Sequence, residues 1–307
     1  MIFDSSKPVK TTIVGCAIAI CLGACSGNKK PDDQAFLDAL DSASQNAPVI
    51  DEQVIGSILE QIPSPLEISV LLKQSGTNYN EKLLNTASNE SKYNTNFKKA
   101  LNLGIYGTDL GYTNIYEQRL AGVKYLSSIK SLAEDLGIGQ YFDMETIGKL
   151  AANSQNLDSL LLITTQNFNS INQYLQSENK SNLSVLLLVG GWIEAMEITC
   201  QVAIKDKDSS QLKETIGAQK IVLEQLALLL SFYEADPQMA GLSTDLKDLK
   251  ALFDAIKITY TYKESTMEIV NGIAVIKDNS TTTIEITDKD VLDIQQKTTE
   301  IRNKIIS

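Results

Sequence analysis

Apolar residues recur every three or four positions along almost the whole chain, and that period commits it to packed amphipathic helices. The longest run reaches from Phe97 to Leu136, where Leu101, Ile105, Leu126, Ile129, Leu132 and Leu136 recur at helical spacings. Gly107, Gly111 and Tyr112-Thr113 predict a bend or tight helix–helix turn near its middle, and Gly137 predicts its C-terminal stop. Upstream, Val54, Ile55, Ile58, Leu59 and Ile62 mark a first stripe. Pro63-Ser64-Pro65 breaks it, and a second helix runs from Leu66 to Gln74 before Gly76. A polar stretch from Thr77 to Asn96 follows, with a short helix around Leu83 and Leu84. Downstream, Asp143 and Asn156 cap helices reaching about Ala152 and Leu175, and Ser181 or Asn182 opens one to Ile204. Ser209 or Ser210 opens another that ends before Asp236-Pro237, and Ser243 caps one to about Lys263.

The stretch Leu186 to Ile193 is the most apolar of these and is read as the central buried element; Glu194 and Glu197 close it well short of membrane-spanning length. Gly190 and Gly191 each cost a helix up to about 1 kcal/mol relative to Ala, so a close backbone approach to a neighbouring helix is expected there. Near the end the composition shifts to β-branched residues. Ile273 to Ile276 and Thr281 to Ile286, with Asp278-Asn279 between them, predict one β-hairpin. Thr287 and Asp290 form a capping box with Asp in place of Glu, opening a final helix on Val291, Ile294, Ile301 and Ile305. The fold class expected is mainly α: an irregular, repeat-like stack of antiparallel helix pairs forming a single domain over residues 35–307, with a small β-hairpin near 273–286 and a last helix.

Lys7 and Lys10 precede an apolar run from about Thr11 to Leu22, the pattern of a secretory signal. Leu22-Gly23-Ala24-Cys25 resembles a bacterial lipobox. The resemblance implies removal of residues 1–24, acylation of Cys25, a polar tether over 25–34 and, with Ser26 after the anchor, the outer membrane. The run is about half the roughly 20 residues that a spanning helix needs. An unlipidated secreted protein would want a small residue where Leu22 stands.

Loss of residues 1–24 removes Asp4, Lys7 and Lys10 and moves the formal charge from −11 to −12. So acidic a body repels phosphate backbones, which excludes nucleic acid as a partner class. Cys16 and Cys21 leave with the signal and Cys25 takes lipid, so Cys200 stands alone and no intramolecular disulfide is available. Histidine is absent, which removes Ser-His-Asp and Cys-His nucleophile systems and His-based zinc sites. No cofactor, metal or enzymatic activity is expected. Asp206 to Ser210 begins like a calcium loop but has Gln211 and Gly217 where that loop needs Gly and Glu.

Two constellations are candidate ligand sites. Tyr106, Asp109, Tyr112 or Thr113, and Tyr116 fall three or four apart, so a continuing helix sets a carboxylate among three phenols. Trp192 and Glu194, with Asn153, Asn156 and Asp158, offer the aromatic, amide and carboxylate groups of a sugar or peptide pocket. The plainer readings are a satisfied buried carboxylate at Asp109 and a core aromatic at Trp192.

Ile62-Pro63-Ser64-Pro65-Leu66-Glu67, Leu101 to Leu110, Leu136-Gly137-Ile138 and Gly190-Gly191-Trp192-Ile193-Glu194 together resemble phrases of uncharacterised all-helical lipoproteins of Gram-negative bacteria. The resemblance covers about residues 50–306, implies a helical fold and brings no reaction with it. The expectation is a lipid-anchored envelope protein that acts as a non-catalytic binding or scaffolding module, partnered by the membrane through Cys25 and by an envelope protein. Carbohydrate or peptide capture through Tyr106, Asp109, Tyr116, Trp192 and Glu194 is the alternative. A carboxylate-based hydrolase, a further alternative, requires two carboxyl groups roughly 5–9.5 Å apart across a cleft.

Overall fold

The computed structural model describes residues 52–59, 62, 72–73, 76–142, 157–205, 210–270, 273–277 and 279–307. The chain divides at 47/48, and all of these lie in the second unit, Pro48–Ser307. The signal, Cys25, the tether and the helices expected over 66–74 and 143–152 lie outside the described residues, apart from Leu72 and Lys73. The fold is mainly α, with a small antiparallel strand region before a final helix.

The described helices are α1 (Glu52–Leu59), α2 (Asn96–Ile115), α3 (Arg119–Asp135), α4 (Leu157–Ser177), α5 (Ser181–Lys205), α6 (Ser210–Ser231), α7 (Pro237–Phe253) and α8 (Asp288–Ile306). Helix α5 is the hub: α1, α2, α4, α6 and α8 all pack on it, and α2 does so most extensively. By length and apolarity α5 passes for a membrane span, yet that apolar stretch is wholly buried inside the fold. Its contact with α2 is backbone on backbone. A Cβ built on Gly104 would lie 1.9 Å from the Leu187 carbonyl oxygen, and one on Gly190 would lie 2.0 Å from that of Leu101. The close approach expected at Gly190 is thus present, with Gly104 as its counterpart across the interface.

The break between α2 and α3 falls at Glu117 (φ 59), not at Gly107 or Gly111. Gly107 and Gly111 stay helical because the backbone ladder continues through them to Ile115, where buried neighbours on both sides hold the turn. The Gln118 N–H then reaches the Thr113 carbonyl and the Glu117 N–H that of Asn114, closing the helix end around a left-handed residue. The same pair of bonds closes α3 at Gly137 (φ 76) and α4 at Asn179 (φ 56). Helix α7 starts earlier than Ser243: Asp236 accepts the N–H groups of Gln238 and Met239, and Pro237 takes the first helical position. Ser243 lies inside the helix, its hydroxyl donating to Glu234.

That helix also stops at Phe253, and Lys257–Thr261 is a strand, β1, where a helix to Lys263 was expected. Strands β2 (Thr266–Val270), β3 (Ile273–Lys277) and β4 (Thr281–Glu285) follow. The expected pairing of 273–276 with 281–286 is replaced by two nested antiparallel pairs, β1 with β4 and β2 with β3. The register pairs Val270 with Ile273, and the two residues between these partners in sequence are Asn-Gly, a dipeptide that favours tight hairpin turns. Strand β4 rests on α6, where Ile284 lies against Gly217. Helix α8 opens on the expected capping box of Thr287 and Asp290.

Candidate functional site

Residues 76–95 cross α2 and α3 with little regular structure beyond two 3₁₀ turns, Glu81–Leu83 and Ala87–Lys92. Where this segment turns inward, around the buried Leu84 and Asn85, its backbone polar groups need partners, and the tyrosine-rich side of α2 supplies several of them. The Tyr106 hydroxyl faces the carbonyls of Thr86 and Ala87 at 3.0 and 3.1 Å, and the Tyr112 oxygen accepts the Asn80 N–H at 3.2 Å. The hydroxyls of Tyr116 and Thr77 are 2.8 Å apart. From α3, the Tyr125 hydroxyl donates to the Asn85 carbonyl at 2.8 Å and Ser128 to that of Ala87 at 3.0 Å. Tyr79 packs on the rings of Tyr112 and Tyr116.

Beneath this strap lies a charged cluster. Arg302 of α8 donates from Nε and Nη2 to the two carboxylate oxygens of Glu194 at 2.5 and 2.6 Å, and from Nη2 to the Leu83 carbonyl at 3.2 Å. The Glu194 side chain has no solvent exposure. Burial works against the Arg302 charge, but its hydrogen bonds to Glu194 outweigh that and hold its pKa above the ordinary value. Asp109 Oδ2 accepts the Asn85 N–H at 3.2 Å, while Oδ1 meets no protein donor. Burial first, then the charge of Glu194 and a hydrogen bond to it, holds the Asp109 acid well above the usual carboxylate range; Arg302 and the Asn85 N–H pull the other way. Burial and the nearby Glu194 charge thus favour the neutral acid over the carboxylate at Asp109, whose Oδ1 has no hydrogen-bond partner among the described residues. One cation, one anion and one neutral acid close the charge balance where an unpaired charge would be costly. Burial also pushes the Tyr112 hydroxyl up to about 12 and raises those of Tyr106 and Tyr125, so these phenols stay neutral.

A titration test follows. Unfolded Asp109 loses its proton near pH 4, whereas the folded acid keeps it to a higher pH. The stability this proton carries is fully present below about pH 4 and is lost as pH rises through the folded value. Asp109→Asn keeps an acceptor for the Asn85 N–H while abolishing the titration. The variant is expected to gain in urea midpoint relative to the parent, by an amount that grows from pH 5 to pH 8. Identical pH dependence in the two proteins would refute the protonated assignment.

Of the residues expected at ligand sites, the fold brings Asp109 and Glu194 into one cluster and ties Tyr106 to it through the strap. Tyr116 sits beyond, half-buried, its ring against those of Tyr79 and the fully buried Tyr112. Trp192 points elsewhere, its indole N–H donating to Gln219 on α6 at 2.9 Å. Asn153, Asn156 and the Asp158 side chain lie outside the described residues. The sequence reading passed over Arg302, Asn85 and Tyr125. Arg302 carried a signal: it is one of only two arginines in a lysine-rich chain, and it stands on the apolar face of α8 between Ile301 and Ile305.

Two surface clefts flank this core. One of about 360 Å³ lies between the strap and α3, lined by Glu81, Leu84, Thr86, Ser88, Lys124 and Tyr125. Another of about 330 Å³ lies where Asn96, Lys180 and Asp236 meet. Neither is lined by Asp109, Glu194 or Arg302. Among the described residues no cluster of three or more Cys, Asp or Glu side chains is placed to hold a metal ion. Compared with known protein families, curated proteins and solved structures, the chain matches none of them.

Proposed function

We propose that this protein is a lipid-anchored envelope protein that acts as a non-catalytic binding or scaffolding module. The observation that carries the reading is the closed Asp109–Glu194–Arg302 cluster. The most reactive-looking groups of the sequence are spent on bracing α2, α5, α8 and the strap against one another. Two carboxyl groups enclosed in the core, one of them paired with a guanidinium, offer no attacking group to a solvent-borne substrate, so a carboxylate hydrolase draws no support from this pair. Ligand capture by Tyr106, Asp109, Tyr116, Trp192 and Glu194 draws none either, since their polar atoms are largely engaged within the fold.

The anchor rests on Leu22-Gly23-Ala24-Cys25. Several acyl chains, each buried methylene contributing about 0.8 kcal/mol, hold a soluble body to a bilayer without a spanning helix. Cys25→Ala is expected to abolish palmitate incorporation and release the protein from the membrane fraction. Cys200 cannot substitute, because its thiol is fully buried and burial raises its pKa. Palmitate retained by the variant would remove the anchor from the reading. Cross-linking in intact cells is expected to trap the anchored chain with a protein partner, and a chain recovered only as uncross-linked monomer would count against a scaffolding role.

A further inference from the structure

The cleft of about 360 Å³ between the strap and α3 differs from its neighbour in the state of its polar groups. Glu81, Thr86, Ser88 and Lys124 line it, and none of the four side chains hydrogen-bonds or ion-pairs with another described residue. Thr86 stands at the N-cap of the turn Ala87–Lys92, yet its hydroxyl does not cap it. Glu81 and Lys124 carry opposite charges on one cleft and form no ion pair with each other. In the second cleft comparable groups are already engaged: the Thr95 hydroxyl accepts the Lys98 N–H, and Asp236 accepts those of Gln238 and Met239. Leu84, Ala87, Ala121 and Tyr125 supply the apolar part of the first cleft's lining. Its walls are fixed to each other, because Tyr125 and Ser128 of α3 donate to the strap carbonyls of Asn85 and Ala87.

We propose that this cleft binds a small zwitterion, a free α-amino acid or a dipeptide with an aliphatic side chain, its ammonium at Glu81 and its carboxylate at Lys124. The proposal rests on the binding-module reading, to which it gives a ligand class, and is independent of the anchor. Charge selects the class. A simple anion would meet Glu81 and the field of a chain with net charge −11, and a simple cation would meet Lys124. A wholly apolar ligand would cover both charged groups without pairing either, which is costly. A ligand carrying both charges offers each group its opposite and is neutral overall, so the charge of the chain does not oppose its approach. The volume lies at the lower end of the roughly 300–1,000 Å³ of small-ligand clefts, which suits one or two residues rather than a longer peptide. The hydroxyls of Thr86 and Ser88 can donate to the carboxylate or accept from the ammonium, and the apolar lining receives the aliphatic side chain. Walls that are already fastened leave little to be ordered on binding.

Isothermal titration calorimetry of the full-length chain in detergent, with L-leucine and with L-alanyl-L-leucine, tests the site. Saturable binding of at least one is expected, and the tighter of the two identifies the source of the zwitterion. N-acetylation, which removes the ammonium, and amidation, which removes the carboxylate, should each weaken that ligand about tenfold. Glu81→Gln should weaken the free ligand about tenfold and erase its advantage over the N-acetyl form, and Lys124→Met should do the same for the amide. Both side chains are exposed, so the urea midpoints of these variants should match the parent's. Lys180→Met, at the second cleft, should leave binding unchanged. No saturable binding of either ligand, or equal binding of the capped forms, would overturn the proposal. So would binding that is lost in Lys180→Met and kept in Lys124→Met. Binding by a chain that cross-links to no protein would sustain the cleft and sink the scaffolding role. A cross-linked partner without ligand binding would do the reverse.

Discussion

Arg302→Met is expected to lower the free energy of unfolding by about 3–5 kcal/mol, among the largest losses of any single side chain in the protein. Glu194 is fully enclosed and spends both carboxylate oxygens on the Arg302 guanidinium, so the substitution strands a buried anion. It also takes a donor from the Leu83 carbonyl, one of the bonds that hold the strap down. The cost arises from the charge left behind rather than from the worth of the ion pair, and a second substitution separates the two. Adding Glu194→Gln removes the stranded charge, so Arg302→Met with Glu194→Gln should be markedly more stable than Arg302→Met alone. Urea unfolding followed by Trp192 fluorescence measures both. Additive losses in the double variant would show that Arg302 contributes by packing alone.

The cluster and its strap show what a sequence displays and what it hides. Asp109 and Tyr106 announce themselves because they lie three residues apart on one helix, and Glu194 because it ends the most apolar run. Arg302 pairs with a residue 108 positions away, and no local period reports a contact of that range. Helix termini divide in the same way. Gly137 is legible as a stop because glycine tolerates a left-handed backbone freely, and Asn179 carries a weaker signal of the same kind, whereas Glu117 adopts that geometry without advertising it. The helices around α5 follow from apolar spacing, and the capping box before α8 from two residues. The strand pairing went to the wrong partners because β-branched composition marks strands without marking register. Asn271-Gly272, a stronger turn signal than Asp278-Asn279, stands in sequence just before the run Ile273 to Ile276 that composition marks as a strand.

Three glycines, two on α2 and one on α5, should respond to the same substitution with opposite signs. An alanine methyl at Gly104 would fall 1.9 Å from the Leu187 carbonyl oxygen and 2.8 Å from the Gly191 nitrogen; one at Gly190 would fall 2.0 Å from the Leu101 oxygen. These are backbone atoms of the two most extensively packed helices, and no rotamer change moves them aside. Either α2 and α5 separate, opening the core that holds Asp109 and Glu194, or the helices distort. The roughly 1 kcal/mol that alanine gains over glycine in helix propensity is too small to offset overpacking against backbone, which costs about 1–3 kcal/mol and more where neighbours cannot yield. Gly104→Ala and Gly190→Ala are each expected to lose about 3 kcal/mol net. Gly107, three residues along α2, faces open space, and Gly107→Ala is expected to stabilise by about 0.5–1 kcal/mol. The combination Gly104→Ala with Gly190→Ala should cost less than the sum of its parts, since helices already forced apart by one methyl accommodate the second. Urea midpoints for the four variants decide the matter: a gain at Gly104 equal to that at Gly107 would mean that α2 and α5 do not touch through their backbones, and the central contact of the fold would have to be redrawn.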